Sequence, residues 1–404
     1  WPQQVAMTHG ARQVSYSELA RQLAEAESAV HRALADVPGP VAVCTGDPLV
    51  QVVASLATLK LGRRCLCLDS MAPAHVLRKA LSEAPVGLFV GDAGMRSLAP
   101  TAPWLDSLEL GAQASLSGST SDQDVVQQTI DRNEASVALA ALNRDFALKH
   151  GQTVLTVREA RRGNSLIDAL LALSVGAQWL VAEPLEASAL LTMMHDQRVA
   201  CLGASARSWT QLLSENARAP LPVIAPLDVR EIAAPLATQL FDAGCRVFSL
   251  LHVPHLGFPV AGGWLSNFAD VGLFGRPTLW NTDRSALVVV DAQGNPLPPG
   301  MPGMLTLQHK DGQSHDLGLP CRWRSDGTLQ YLGVADVYEN VAKAAADSQA
   351  TEKQTDAVDL TPTEETLVEI WGTLLGMQGI SRADNFFELG GTSLMTMQAA
   401  GLLE

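Results

Sequence analysis

The sequence predicts a layered α/β domain with a small β-rich part at its end, then a tether and a short all-α bundle. Three observations carry this. From Val14 to about Val90, and again from Leu166 to Leu202, apolar runs of strand length alternate with helical periodicity, the pattern of an α/β layered fold. After Gly263 the text turns to Gly, Pro and short β-rich runs. From Ala342 to Asp359 it holds almost no large apolar side chains, and a strong helix start follows.

In the first part, Glu18 to Leu34 and Leu49 to Leu61 read as helices, and Val41 to Cys44 and Arg64 to Leu68 as strands. Ala135 to Leu142, apolar but for Ser136, reads as a strand. Leu166 to Val175 reads as a helix and Trp179 to Val181 as a strand, and Leu190 to His195 leads to a strand over Val199 to Leu202. In the β-rich part, Ala286 to Val290, Met304 to Leu307 and Thr328 to Leu332 read as strands, with turn signals at Asp291-Ala292-Gln293-Gly294 and Asp326-Gly327. The expected domains are therefore 1–340, a tether over 341–360, and a helical domain over 361–404. In the last, Thr361 caps, Pro362 takes the first helical position and Glu364 stands three residues after the cap. Leu367, Ile370, Trp371, Leu374 and Leu375 line one face, and Gly376 is a natural stop.

Composition narrows the function. Of the 404 residues, 47% are hydrophobic and 17% charged, a normal balance for a folded protein. A net charge of -14 repels nucleic-acid phosphates and anionic lipid, so the expected partners are proteins and small molecules, with no nucleic acid and no membrane. No run approaches the roughly 20 apolar residues of a membrane span, and the first residues carry no leader pattern, so the expected location is cytoplasmic. The six cysteines lie in apolar stretches without metal-ligand spacing and are expected as buried, reduced thiols.

The chemistry-bearing string is Asp384 to Leu394, DNFFELGGTSL. Phe386, Phe387 and Leu389 can anchor a loop, and Gly390 and Gly391 allow a tight turn into a helix whose first turn holds Ser393. A helix N-terminus presents free amide groups and partial positive charge, which suits a phosphodiester on that hydroxyl. An isolated Gly-Gly-Thr-Ser would more simply be a helix cap.

The full string resembles the phosphopantetheine attachment motif of peptidyl carrier proteins, with the expected upstream helix, TPTEETLVEIWGTLLG. The resemblance implies that Ser393 carries a covalent 4'-phosphopantetheine arm, within a carrier motif of Asp384, Phe386, Phe387, Leu389, Gly390, Gly391 and Leu394. It implies a phosphopantetheinyl transferase as partner. Carriers of this family have four helices over roughly 80 residues, so the carrier is expected to be incomplete, with Glu404 inside its second helix.

Residues 1 to about 340 resemble the large subdomain of the acyl-adenylate-forming enzymes that precede carriers in nonribosomal peptide synthetases. The resembling text is VSYSELARQLAEAESAVHRAL, VAVCTGDPLVQVVASLATLKLGRRCLCLDSMAP, PLPPGMPGMLTL and RWRSDGTLQYLG. That family activates an amino acid with ATP, which calls for an anion-cradling loop, a Mg2+-binding carboxylate, a ribose-binding carboxylate and a lysine. Here the Gly- and Ser/Thr-rich phosphate loop expected after Ala135 to Leu142 does not occur. Ser249-Leu250-Leu251-His252-Val253-Pro254-His255 stands where the family has Asn-x-Tyr-Gly-Pro-Thr-Glu, placing His255 at the metal-binding Glu. An imidazole does not replace a carboxylate on Mg2+, which prefers oxygen ligands. Leu319 aligns with the ribose-binding Asp, and the hinge reads Gly333-Val334-Ala335-Asp336, with Val334 in place of Arg. The tether follows directly, without the smaller subdomain that delivers the lysine.

The resemblance therefore implies an inactive adenylation domain that uses neither ATP nor Mg2+. The carrier would be loaded in trans by another adenylation domain and presented to condensation, cyclisation or tailoring domains. One alternative is an active domain that adenylates an amino acid and loads Ser393 in cis; another is a remnant pocket that binds a nucleotide. His252 and His255 lack a third ligand for a metal site, and no GxSxG marks a hydrolase. Trp264, Trp280 and Trp323 read as core or pocket wall.

Overall fold

The computed structural model describes residues 1–34, 37–70, 72–83, 86–111, 128–130, 132–157, 165–183, 185–215, 220–253, 256–266, 272, 285–309, 312, 314–333, and 366, 370 and 371. The chain forms two compact units, Trp1–Tyr338 and Glu339–Glu404. In the second, Thr366, Ile370 and Trp371 are helical, with Thr366 exposed and the other two half-buried.

The first unit opens with a hairpin of β1 (Val5–His9) and β2 (Arg12–Ser15), followed by α1 (Tyr16–Leu34), β3 (Val41–Cys44), α2 (Pro48–Lys60), β4 (Cys65–Cys67), α3 (Ala74–Glu83), β5 (Leu88–Gly91) and β6 (Trp104–Asp106). Then come β7 (Gln128–Ile130), α4 (Arg132–Phe146), β8 (Thr153–Val157), α5 (Ser165–Ser174), β9 (Gln178–Ala182), α6 (Ala187–Asp196), β10 (Val199–Gly203), α7 (Ala206–Glu215), β11 (Ile224–Asp228) and α8 (Ala234–Asp242). A hairpin of β12 (Arg246–Val253) and β13 (Leu256–Trp264) precedes β14 (Ser285–Val290), β15 (Gly303–His309), β16 (Ser314–Trp323) and β17 (Leu329–Tyr331).

Local chemistry accounts for the helix starts. Asp47 caps α2 by accepting hydrogen bonds from the amides of Leu49 (2.9 Å) and Val50 (3.2 Å), and Pro48 opens the helix. The Asp47 carboxylate also accepts from the Arg12 guanidinium at 2.8 Å, tying the first hairpin to this helix. Helix α1 buries Leu19, Ala26, Val30 and Leu34 and turns Arg21 and Glu25 outward, the stripe of a surface helix. Helix α2 is apolar nearly all round because it lies between the sheet and α1.

Among the described residues, the strands form a 13-stranded sheet, ordered β2-β1-β9-β8-β10-β11-β12-β13-β7-β4-β3-β5-β6, and an antiparallel sheet ordered β14-β15-β16-β17. The large sheet has two parallel runs, β1-β9-β8-β10-β11-β12 and β4-β3-β5-β6. They are joined through β13 and β7, which pair in parallel at Leu256 and Thr129, and through β7 and β4, which pair antiparallel. Helices on both faces bury the apolar strands, as parallel sheets require. The small sheet packs on the large one through Val229, Leu251 and Ala261 against Leu287, Leu305, Leu319 and Cys321.

Most expected elements stand within a residue or two of their place. The strand expected over Ala135 to Leu142 does not: this stretch lies inside helix α4. Ala135, Ala138, Leu142 and Phe146 are buried at helical spacing, and alanine is the strongest helix former, so the apolar run is one face of a helix and its small neighbours. All six cysteines are buried free thiols, as expected, and burial pushes Cys245 and Cys321 up to about 12. Trp264 is half-buried, edge-on to Phe248 with centroids 4.9 Å apart, and Trp323 packs against the small-sheet core. Both are core walls, as the sequence suggested; Trp280 lies outside the described residues.

Candidate functional site

In an open α/β sheet, ligands and catalytic groups gather beyond the carboxyl ends of the parallel strands. Here β8, β9, β10 and β11 end side by side at Val157, Ala182, Gly203 and Asp228. Beneath this edge lies a buried polar network. Thr156, in β8, donates to the Asp168 carboxylate of α5 at 2.9 Å and accepts from the Trp179 indole of β9 at 2.9 Å. A carboxylate inside a helix as apolar as SLIDALLALS is retained only with donors at hand, so this network fixes α5 against β8 and β9. Thr156→Val should cost about 2–3 kcal/mol, because it removes a donor from Asp168 and leaves the indole N–H unpaired; equilibrium urea unfolding measures it.

At the end of β11, Asp228 and Arg230 form a bidentate pair, with Arg230 Nε at 2.6 Å and Nη2 at 2.8 Å. The hydrogen bonds that Arg230 donates to the Asp228 carboxylate hold the guanidinium above its usual range. In β12, Ser249 is 1% exposed and its hydroxyl has no hydrogen-bond partner among the described residues.

The positions singled out in the sequence fall as follows. Leu319 is in β16, 3% exposed, paired with Leu305 and packed in the apolar cluster between the two sheets. His252 is a strand residue of β12 registered against Pro259. His255 and Val334 lie outside the described residues. So do Ser393 and the rest of the carrier motif: Asp384, Phe386, Phe387, Leu389, Gly390, Gly391 and Leu394. Where α4 replaces the expected strand, the strand before it is β7, and Asp131 alone separates the end of β7 at Ile130 from the start of α4 at Arg132. Among the described residues, no three His, Cys, Asp or Glu side chains cluster as metal ligands do. No described helix is long and apolar enough to cross a membrane.

Among the described residues, Leu319 is packed in an apolar cluster, and β7 and α4 stand one residue apart. The Thr156, Asp168 and Trp179 network was missed in the sequence. Its one legible signal is the lone carboxylate of Asp168 in an apolar helix.

Comparison with known proteins assigns the two parts separately. Residues 365–404 match the family model described as a phosphopantetheine attachment site. Over 38 residues the chain is 55% identical to chondramide synthase cmdD of Chondromyces crocatus, a stretch covering 9% of this chain and 1% of that protein. Among solved structures, MatB of Rhodopseudomonas palustris superposes with a TM-score of 0.66 at 15% identity, covering 82% of this chain and 76% of its own. The o-succinylbenzoate CoA synthetase MenE of Bacillus subtilis gives 0.63 at 16%, with the same coverage. The nonribosomal peptide synthetase FmoA3 gives 0.65 at 16%, covering all of this chain (100%) and 46% of its own.

The large unit thus has the layered α/β fold of the adenylate-forming enzymes, with a small helical region after it. That region carries a phosphopantetheine attachment site, so the cofactor of this chain is a covalent 4'-phosphopantetheine. The architecture is an adenylate-forming fold joined to a carrier, and the chain spans less than half, 46%, of the FmoA3 structure.

Proposed function

We propose that this chain is a carrier-bearing part of a nonribosomal peptide synthetase, spanning an adenylation-like domain over 1–340, a tether over 341–360 and a carrier over 361–404. Ser393 holds the phosphopantetheine arm. Once attached, the arm supplies a thiol that carries an acyl group as a thioester. What this chain contributes is the serine itself, in a sequence that predicts a helix start, where free amides and partial positive charge would favour the phosphodiester. The observation that carries the reading is the string DNFFELGGTSL, inside the segment that matches the attachment-site family model.

The adenylation-like domain is a scaffold without adenylation chemistry, and the carrier is loaded in trans. Supporting this are the one-residue connection from β7 to α4, the packed Leu319, and the substitutions His255 and Val334. Loss of one donor from a preorganised charge site costs about 100-fold or more in rate, and several are missing together. The scaffold presents the carrier to condensation, cyclisation or tailoring partners, after a phosphopantetheinyl transferase has attached the arm. Amino-acid-dependent exchange of pyrophosphate into ATP tests the reading: the full chain should show none with any amino acid. Exchange would establish the alternative, an active domain loading Ser393 in cis.

A further inference from the structure

Four of the six cysteines stand on separate segments: Cys44 in β3, Cys201 in β10, Cys245 just before β12 and Cys321 in β16. The other two begin and end the three-residue strand β4. Side chains two apart on a strand share a face. Cys65 and Cys67 accordingly belong to the core cluster that takes in α2, whereas Leu66 and Cys44 belong to the cluster on the opposite face. The sulfurs of Cys65 and Cys67 lie 3.6 Å apart, and the Ser55 hydroxyl of α2 stands 3.4 Å from the sulfur of Cys67.

This contact makes the two thiols unequal. With Cys65 donating, the hydrogen bond between the sulfurs holds Cys67 below its usual range, and the Ser55 hydroxyl adds to that; the same bond and burial push Cys65 up. Cys67 is therefore the better thiolate and Cys65 the thiol that keeps its proton. Exposure runs in the same order. Cys67, at the carboxyl end of β4, is 4% exposed and Cys65 0%. The more nucleophilic sulfur is the one nearer to solvent, and the sulfur that can trap its oxidised form lies directly behind it.

The backbone permits a bond between them. Two residues of strand span about 6.6 Å, near the top of the Cα separations of about 4.4–6.8 Å that disulfides bridge. The sulfurs must close to about 2.0 Å, which an extended strand allows only with strain, and a strained disulfide is readily reduced.

We propose that Cys65 and Cys67 form a reversible oxidation site for peroxide, with Cys67 as the attacking sulfur and Cys65 as the resolving one, closing a disulfide within β4. The Cys67 thiolate attacks one peroxide oxygen, the O–O bond breaks, and hydroxide leaves to take up the proton that Cys67 released. The resulting sulfenic acid is attacked at sulfur by Cys65; the S–O bond breaks and a second water leaves with the Cys65 proton. Two thiols are oxidised and one peroxide is reduced to two waters. Because β4 pairs with β3 on one side and β7 on the other, the bond forms in the strand that links the two parallel runs of the large sheet.

The test treats the reduced full chain with an equimolar amount of hydrogen peroxide, alkylates it in urea and digests it with trypsin, which releases Cys65 to Arg78 as one peptide free of other cysteines. That peptide should lose about 2 Da and take no alkyl label, and brief treatment with dithiothreitol before alkylation should restore both labels. Ser55→Ala should slow the loss by about threefold or more, since Cys67 loses a donor to its thiolate. In Cys65→Ser the reaction should stop at a Cys67 sulfenic acid, which dimedone labels, and in Cys67→Ser the remaining thiol should stay reduced. A peptide that keeps both labels while Cys44 or Cys321 oxidises would overturn the proposal. So would closure no faster in the folded chain than in urea, because the folded geometry would then contribute nothing. Dimedone on Cys65 in Cys67→Ser, with none on Cys67 in Cys65→Ser, would overturn the assignment of roles.

Discussion

Leu319→Asp, which places a carboxylate where the sequence reading aligns the ribose-binding Asp of the adenylate-forming enzymes, should gain no pyrophosphate exchange and should destabilise the first unit by about 4 kcal/mol or more. The leucine packs among Leu305, Leu307, Leu317 and Cys321, between the small sheet and β12–β13. Removing it leaves a cavity, which alone costs about 2–5 kcal/mol, and the new carboxylate finds no cation in an apolar cluster. Leu319→Asn should unfold at a denaturant midpoint above that of the Asp variant at neutral pH, since the amide carries no charge to bury. Urea unfolding followed by tryptophan fluorescence measures both. A Leu319→Asp chain as stable as the parent would mean that position 319 opens to solvent; if it also exchanged pyrophosphate, the site would be dormant rather than lost.

Ser393→Ala should abolish modification completely. With coenzyme A and a broad phosphopantetheinyl transferase, the parent chain should gain about 340 Da, the mass of the arm, and the variant nothing. The effect is all or none because the hydroxyl is the atom that becomes the phosphodiester oxygen; no other group replaces it. Thr392→Ala, one residue away, should remain modified, because its hydroxyl takes no part in the bond. A variant Ser393→Ala that still gained the mass would move the attachment to another hydroxyl, and Thr392→Ala would then show whether it is the neighbour.

How much of this was legible in the sequence depended on how local the determining physics is. Helix α1, strand β3 and helix α2 are set by periodicity and by caps within a few residues, and they stand close to where the sequence placed them. The attachment site was legible for a similar reason: the string DNFFELGGTSL, which lies within the segment matching the family model, is continuous. Helix α4 was misread because Ala-Ser-Val-Ala-Leu-Ala-Ala-Leu offers a single small polar residue, Ser136, too little to set a period. Only the packing of Ala135, Ala138 and Leu142 against the core decides which face is buried. The joining of the two parallel runs was not legible at all. It rests on β7 pairing with Leu256 on one side and Cys65 to Cys67 on the other, contacts far apart in the chain. The network of Thr156, Asp168 and Trp179 likewise unites three elements, and only Asp168, an isolated charge in an apolar helix, hinted at it.

The central claim is that Ser393 bears an arm that this chain cannot itself load. The measurement that tests it most directly is intact mass of the full chain, first converted with coenzyme A and a phosphopantetheinyl transferase, then incubated with ATP, Mg2+ and a pool of amino acids. The account predicts a gain of about 340 Da and no further mass, with an aminoacyl increment appearing only when a separate active adenylation domain is added. An aminoacyl increment without that addition would show that the adenylation site works, and would contradict the account.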